Sequence, residues 1–286
     1  MGWTRRKGTR AAHKLPDDWE DQCEKSAMRK AYLLKEYDIP AELFVNSDQT
    51  QRLYAPGDKL TYAEIGAKQV SVIGGDEKRA FTVMVSVSSA GRMLPFQAIY
   101  HGKTERSCPD KKLPDYDAAI AAGFQFEFSG TKTYWANQQT MRQFVNHILA
   151  PYFEEMKAQL GLPPTQRSLW TIDVWSVHRS EEFLDWMRAQ HPKILVDFMP
   201  GGCTGVAQPC DVGIQRPFKH ITNQCFLEDT VEITLTQIDN GDAISIDDRL
   251  PTLRNASVRW LWKAYEALNK KEIVQKVSSR NVDKVD

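Results

Sequence analysis

The chain has 286 residues, 42% of them hydrophobic and 26% charged, and its 37 basic and 37 acidic side chains cancel to no formal net charge. That length accommodates one large domain or two small ones around a sizeable core, and the charge balance excludes a chain that is basic throughout while allowing local basic patches. No apolar run reaches the ~20 residues that span a bilayer, and the polar, basic N-terminus lacks the apolar stretch of a signal peptide, so an intracellular protein without a membrane partner is expected.

Residues 1–14 contain Arg5, Arg6, Lys7, Arg10 and Lys14 and no acid. Such a run can track a phosphate backbone or hang as a solvated tail. Asp17–Tyr37 reads as a helix whose acidic start suits the helix dipole. Trp19, Cys23, Met28, Tyr32 and Leu33 are expected on one face, and Pro40 closes the segment. A strand-rich block follows. Glu42–Ser47 holds the apolar run Leu43, Phe44, Val45, and Gln69–Ile73 and Phe81–Ser88 are rich in β-branched residues. Leu94–Tyr100 is a further strand. Gly74, Gly75, Asp76, Glu77 and Lys78 have the composition of a hairpin turn.

Gly102–Gly130 reads as a surface loop with a short helix at Asp117–Ala122. Asn137–Leu160 is amphipathic, with Met141, Phe144, Ile148, Tyr152 and Met156 at helical spacing and Pro151 set to kink or split it. The order then becomes strand, helix, strand, helix: Leu169–Ile172, Ser180–Gln190 with Ser180 as N-cap, Ile194–Met199, and Gln208–Leu227. Such alternation implies parallel strands with crossover helices. Thr230–Leu250 is polar and acidic and is expected to loop out, and Ser257–Val277 is a final helix.

A meander followed by parallel strands and helices describes an α/β chain of the ribonuclease-H-like fold, with a mixed five-stranded sheet flanked by helices. That fold sets a carboxylate on its first, central strand beside one at the end of its fourth, and takes a third from a later helix. Asp48 ends the first strand here, Asp173 follows Leu169–Ile172, and Asp211 opens the helix after Gln208, Pro209 and Cys210. Phosphodiester cleavage must activate a water or hydroxyl and stabilise the leaving oxygen, which two divalent cations ~3.5–4 Å apart can do. Magnesium is a hard cation that takes oxygen ligands. Three carboxylates can hold two Mg2+ or Mn2+ ions, with Asp48 bridging the pair and Asp173 and Asp211 each completing one side. Single aspartates also end strands and cap helices for structural reasons alone. The case therefore rests on the three together, in order, on suitable elements.

Other residues carry weaker signals. Lys78 and Arg79 lie where basic side chains could grip DNA phosphates, or form a solvated turn. Lys219, eight residues after Asp211 and so about two helical turns along the same face, is a third candidate DNA contact. The five cysteines (Cys23, Cys108, Cys203, Cys210, Cys225) include no CxxC pair and read as free thiols rather than a zinc site. The stretch Pro200–Gly205 is rich in glycine but lacks the following Gly-Lys-Ser/Thr of a nucleotide-binding loop. Trp170, Trp175 and Trp186 read as packing residues.

The residues around the three aspartates carry a resemblance. They are Asn46-Ser47-Asp48-Gln49-Thr50, Gly75-Asp76-Glu77-Lys78-Arg79, Leu94-Pro95 with Gly102-Lys103-Thr104, Ile172-Asp173 through His178, and Pro200–Gly205 continuing through Gln208-Pro209-Cys210-Asp211-Val212-Gly213 to Phe218-Lys219. In this order they resemble the DDE endonuclease domain of pogo/Tigger-like transposases of the Tc1/mariner superfamily, whose relatives include jerky-like and centromere-protein-B-like proteins. The resemblance runs from about Leu43 to Leu227. It implies metal-dependent cleavage of DNA at transposon ends, then strand transfer to target DNA, in the nucleus. It also implies an aspartate as third acid, as in the pogo-like branch, and a place near the active site for His178. A homodimer is the candidate assembly.

Family members usually carry helix-turn-helix modules ahead of the catalytic domain, and such a module needs about three helices. Here about 40 residues precede the first strand, with one helix among them. The expected division is a basic segment and linker helix at 1–41, the catalytic domain at 42–228, and an acidic loop with a C-terminal helix packing on it at 229–286. Two readings follow: a DDE transposase catalytic domain, or a domesticated or truncated nucleic-acid-binding protein without catalysis. A ribonuclease or resolvase on the same fold is a third, because fold does not fix substrate.

Overall fold

The structure is a computed structural model and describes residues 3–7, 15–55, 60–64, 78–174, 177 and 179–279. In chain order the strands and helices are β1 (Trp3–Lys7), α1 (Trp19–Glu36), β2 (Phe44–Leu53), β3 (Leu60–Glu64), β4 (Ala80–Ser88) and β5 (Gln97–Tyr100). They continue with α2 (Tyr116–Ala121), β6 (Gln125–Phe128), α3 (Gln138–Phe144), α4 (Ala150–Gln159), β7 (Ser168–Ile172), α5 (Glu181–Gln190) and β8 (Ile194–Phe198). The C-terminal part holds α6 (Thr204–Ala207), α7 (Gln215–Asp239), α8 (Leu250–Leu268) and α9 (Lys271–Ser279). Two π-helical turns, Val145–Leu149 and Cys210–Ile214, lead into α4 and α7.

The main sheet is mixed, in the order β6-β5-β4-β2-β7-β8. β2, β4 and β5 form an antiparallel meander, and β7 and β8 run parallel to β2. This is the ribonuclease-H-like arrangement expected from the element order. The sheet has six strands rather than five, because β6 pairs parallel to β5 at one edge. That strand falls in the segment read as loop, since four residues give too short a pattern to reveal a strand. β1 and β3 pair with each other outside the main sheet.

Every position of β4 is buried, because helices cover both faces of the sheet there. Phe81, Val83, Val85 and Val87 point to one face and join Phe218 of α7 and Trp260 and Leu261 of α8. Met84 points to the other, with Val45, Phe144, Ile148, Trp170 and Phe183. Alternation along a strand produces this division, and fully burying each such side chain contributes about 1.5–3 kcal/mol.

Several expectations need correction. In α1, Met28 and Tyr32 are exposed, and Ser26 is the buried residue. β2 continues to Leu53, so Asp48 lies inside the strand rather than at its end. Polar side chains from Asn46 to Arg52 hid this continuation, although one helix bonds three of them and the turn before it a fourth, as described below. Thr230–Asp239 is helical, as the second half of α7, and does not loop out. The C-terminal helix begins at Leu250 and breaks into α8 and α9 around Asn269. The helix around Pro151 is split, with the π turn immediately before the proline's segment. The strand expected at Gln69–Ile73 lies outside the described residues, as do residues 74–77 of the hairpin turn expected after it. No helix among the described residues is long and apolar enough to cross a membrane.

Candidate active site

The site is built on the two faces of β2. Residues 47, 49 and 51 face α3 and its neighbours. Ser47 Oγ lies 2.7 Å from Ser86 Oγ and accepts a hydrogen bond from Trp170 Nε1 at 2.9 Å. Gln49 Nε2 donates to Met141 Sδ, and Gln51 Nε2 to the Tyr134 hydroxyl. Residues 46, 48, 50 and 52 face the π turn and α7. Asn46 Oδ1 accepts from the Cys210 backbone N–H at 3.1 Å, and Thr50 Oγ1 donates to Gln215 Oε1 at 3.0 Å. Asp48 Oδ2 accepts from Gln215 Nε2, and Arg52 Nη2 donates to the Thr222 carbonyl at 3.1 Å. The Arg52 guanidinium also sits 5.4 Å from the centroid of Trp260. Buried polar groups left unpaired are costly. Here one turn and one helix bond each of the four polar side chains on this strand face, which holds Asp211 over Asp48.

Asp173 reaches the same place by register. The parallel pairing of β2 with β7 ends at Ser47↔Ile172, so Asp48 and Asp173 are the next residues on adjacent strands, which lie ~4.8 Å apart. Ile172 packs in the cluster with Trp170, so alternation turns Asp173 toward the face that Asp48 occupies. Asp211 lies in the wide π turn Cys210–Ile214. Its chain neighbours bind the same strand face, Cys210 N–H to Asn46 Oδ1 and Gln215 Nε2 to Asp48 Oδ2, which brings Asp211 close to Asp48.

The electrostatics follow from this crowding. Burial pushes Asp48 well above the usual carboxylate range, and the charge and hydrogen bond of Asp211 and the charge of Asp173 push the same way. The Gln49 N–H, donated to Asp48 Oδ1 at 2.8 Å, opposes them. Asp173 is also raised, first by burial and then by Asp211, against the Val174 N–H donated to its Oδ1 at 2.6 Å. Neighbouring carboxylates that disfavour each other's charge are the surroundings a divalent cation neutralises. The donor set, carboxylate oxygens alone, suits a hard cation such as Mg2+. Among the described residues, no three His, Cys, Asp or Glu side chains gather tightly enough to hold one ion between them. A two-ion arrangement asks instead that Asp48 pair with each of the other two acids, one on each side.

Of the other expected site residues, Lys219 joins the network, with Nζ donating to Gln215 Oε1 at 3.3 Å. Lys78 is exposed just ahead of β4. Arg79 is tied to the loop before α8 by a 2.7 Å hydrogen bond to the Asp248 carbonyl. Asp48 pairs with Val85, so both basic residues stand roughly 20 Å away along the strand. His178 lies outside the described residues. Sequence reading missed Gln215 and Thr50. The available signal was the alternation of Asn46, Asp48, Thr50 and Arg52 on one strand face, with Gln215 one helical turn beyond Asp211 to meet it.

The class the fold defines is the ribonuclease-H-like one, a mixed sheet with Asp48 on its central strand and Asp173 beside it by register. Residues 78–276, more than half of the chain, match the DDE superfamily endonuclease family, and the chain belongs to that family. The match includes Asp173 and Asp211, and Asp48 precedes it. No curated protein matches the chain. Among solved structures it is similar to the Mos1 strand transfer complex, at 13% identity and a TM-score of 0.46, covering 98% of this chain and 63% of that one. It is also similar to the catalytic domain of Mos1 mariner transposase, at 11% identity and a TM-score of 0.42, covering 91% of this chain and 98% of that one. A third is the Mos1 mariner paired end complex with Mn, at 13% identity and a TM-score of 0.42, covering 93% and 67%. The chain thus spans 63% of the length of the first of these proteins.

Proposed function

We propose that the chain is the catalytic domain of a pogo/Tigger-like DDE transposase of the Tc1/mariner superfamily. It cleaves DNA at transposon ends and joins the freed end to target DNA, using Asp48, Asp173 and Asp211 with two Mg2+ or Mn2+ ions. The observation that carries the reading is the juxtaposition on one sheet face: Asp48 one residue past the β2–β7 pairing beside Asp173, and Asp211 held near it by the hydrogen bonds of Cys210 and Gln215 to β2. Membership of the DDE endonuclease family and the ordered motifs support it.

When bound, the cation pair supplies charge for the leaving oxygen and a more acidic attacking water or hydroxyl. The chain supplies the rest. Asp48 would contribute to both ions, and Asp173 and Asp211 to one each. The Gln49 and Val174 N–H groups hold one oxygen of Asp48 and Asp173 respectively, fixing how each carboxylate is presented. The hydrogen-bonded sheet fixes the strand spacing, which limits reorganisation during reaction. Cleavage and strand transfer differ only in nucleophile, so one site serves both. Lys78, Arg79 and, near the acids, Lys219 are the proposed contacts to the DNA backbone, and His178 a support for the site.

A second reading is a domesticated chain that binds nucleic acid without cutting it; among the described residues no three acids gather tightly enough to hold one ion between them. One assay separates the two. Plasmid DNA incubated with the purified chain in Mg2+ or Mn2+ is nicked by the parent and left intact by Asp173→Ala. A folded parent that nicks no more than Asp173→Ala in either cation overturns the catalytic reading.

A further inference from the structure

We propose that Gln215 is a positioning residue for Asp48, orienting its carboxylate through the side-chain amide. The inference rests on the reading of Asp48 as a metal ligand and adds a residue that neither the family nor the motifs assign. Gln215 is buried, and its Nε2 donates to Asp48 Oδ2. An amide's oxygen and nitrogen are told apart by their hydrogen-bond partners. Gln215 Oε1 receives the Thr50 hydroxyl at 3.0 Å and the Lys219 ammonium at 3.3 Å. Lys219 has no acceptor on its side chain, so the oxygen must face it and the N–H must face Asp48.

The ammonium also polarises the amide and strengthens its N–H as a donor. Asp48 Oδ1 is meanwhile held by the Gln49 N–H. Each carboxylate oxygen therefore has one fixed amide donor, which sets how it is presented. The arrangement also joins the first acid to the helix that follows the third, since Thr50 and Asp48 lie on β2 and Gln215 one turn beyond Asp211. Partners that orient a metal ligand change affinity by about tenfold to a hundredfold when removed.

The test measures Mn2+ binding to the full chain by calorimetry and by electron paramagnetic resonance, with thermal denaturation in EDTA alongside. Gln215→Leu keeps the volume and removes the donor, and Gln215→Met serves if that variant does not fold. Thr50→Val removes the hydroxyl that fixes the amide. The inference predicts Mn2+ affinity about tenfold to a hundredfold weaker in Gln215→Leu or Gln215→Met, a smaller loss in Thr50→Val, and an altered resonance line shape. It is overturned if Asp48→Asn abolishes binding while the Gln215 variants bind as the parent does. If the parent binds no Mn2+, or Asp48→Asn binds as well as the parent, the underlying reading fails and the inference with it.

Discussion

Replacing Glu127 by glutamine should make the protein more stable at alkaline pH and no different in acid. Glu127 lies half-buried on β6, where burial pushes its carboxyl up to about 7 from 4.5, opposed by the hydrogen bond from Gln97 Nε2 at 3.0 Å. The native chain therefore keeps a proton that the unfolded chain releases between these values. Stability falls as pH rises from 4.5 through about 7 and is flat beyond. The interval from 4.5 to about 7, at 1.36 kcal/mol per pH unit, corresponds to about 3 kcal/mol, which partial exposure reduces to about 2 kcal/mol. Glu127→Gln retains the acceptor for Gln97 and cannot ionise. Its expected gain at pH 8 is about 2 kcal/mol, or about 4 °C in Tm at the roughly 2 °C per kcal/mol of a chain this long. Urea denaturation followed by circular dichroism from pH 4 to pH 8, without divalent cation, measures the profile. Asp48 and Asp173 are raised too and contribute a slope of the same sign, which survives in the variant. Parallel profiles for parent and variant would refute the reasoning.

Asp211→Asn removes the charge that raises both Asp48 and Asp173. In EDTA at pH 8 the variant should be about 1 kcal/mol more stable than the parent. The parent should gain about 2.7 kcal/mol in Mn2+ at a hundred times its Kd, and the variant much less. Thermal denaturation with and without Mn2+ reads both effects, and equal cation-induced gains would contradict the assignment. Asn137 caps α3 through a reciprocal pair, Thr140 N–H to Asn137 Oδ1 at 3.0 Å and Asn137 N–H to Thr140 Oγ1 at 2.9 Å. Asn137→Ala should cost about 1 kcal/mol, measurable by urea denaturation, and should leave Mn2+ affinity unchanged.

Elements with strong periodicity were legible in the sequence. The runs at Phe81–Ser88 and Leu169–Ile172 lie in strands buried at every position, Ile194–Phe198 is a half-buried edge strand, and Ser180 caps α5 by accepting the Phe183 N–H as its type and position suggested. What stayed hidden depended on partners distant in sequence. β2 extends past Ser47 because α7 satisfies Asp48, Thr50 and Arg52, and a polar strand face cannot announce a helix some 165 residues away. β6 exists because β5 offers it an edge. The exposed apolar residues Leu227, Val231 and Leu235 gave no amphipathic signature tied to the core, so the second half of α7 read as loop. The three aspartates were expected from order and motif, and the register of β2 with β7 brings Asp48 and Asp173 side by side. Gln215 was not, because its role comes from meeting Thr50 and Asp48 across the fold.

The central claim is that Asp48, Asp173 and Asp211 hold two divalent cations for cutting DNA. Anomalous diffraction from crystals soaked in Mn2+ tests it most directly. The account predicts two peaks ~3.5–4 Å apart, both touching the Asp48 carboxylate, one also touching Asp173 and the other Asp211. Peaks that avoid Asp48, or no ordered Mn2+ at this face of the sheet, would contradict it.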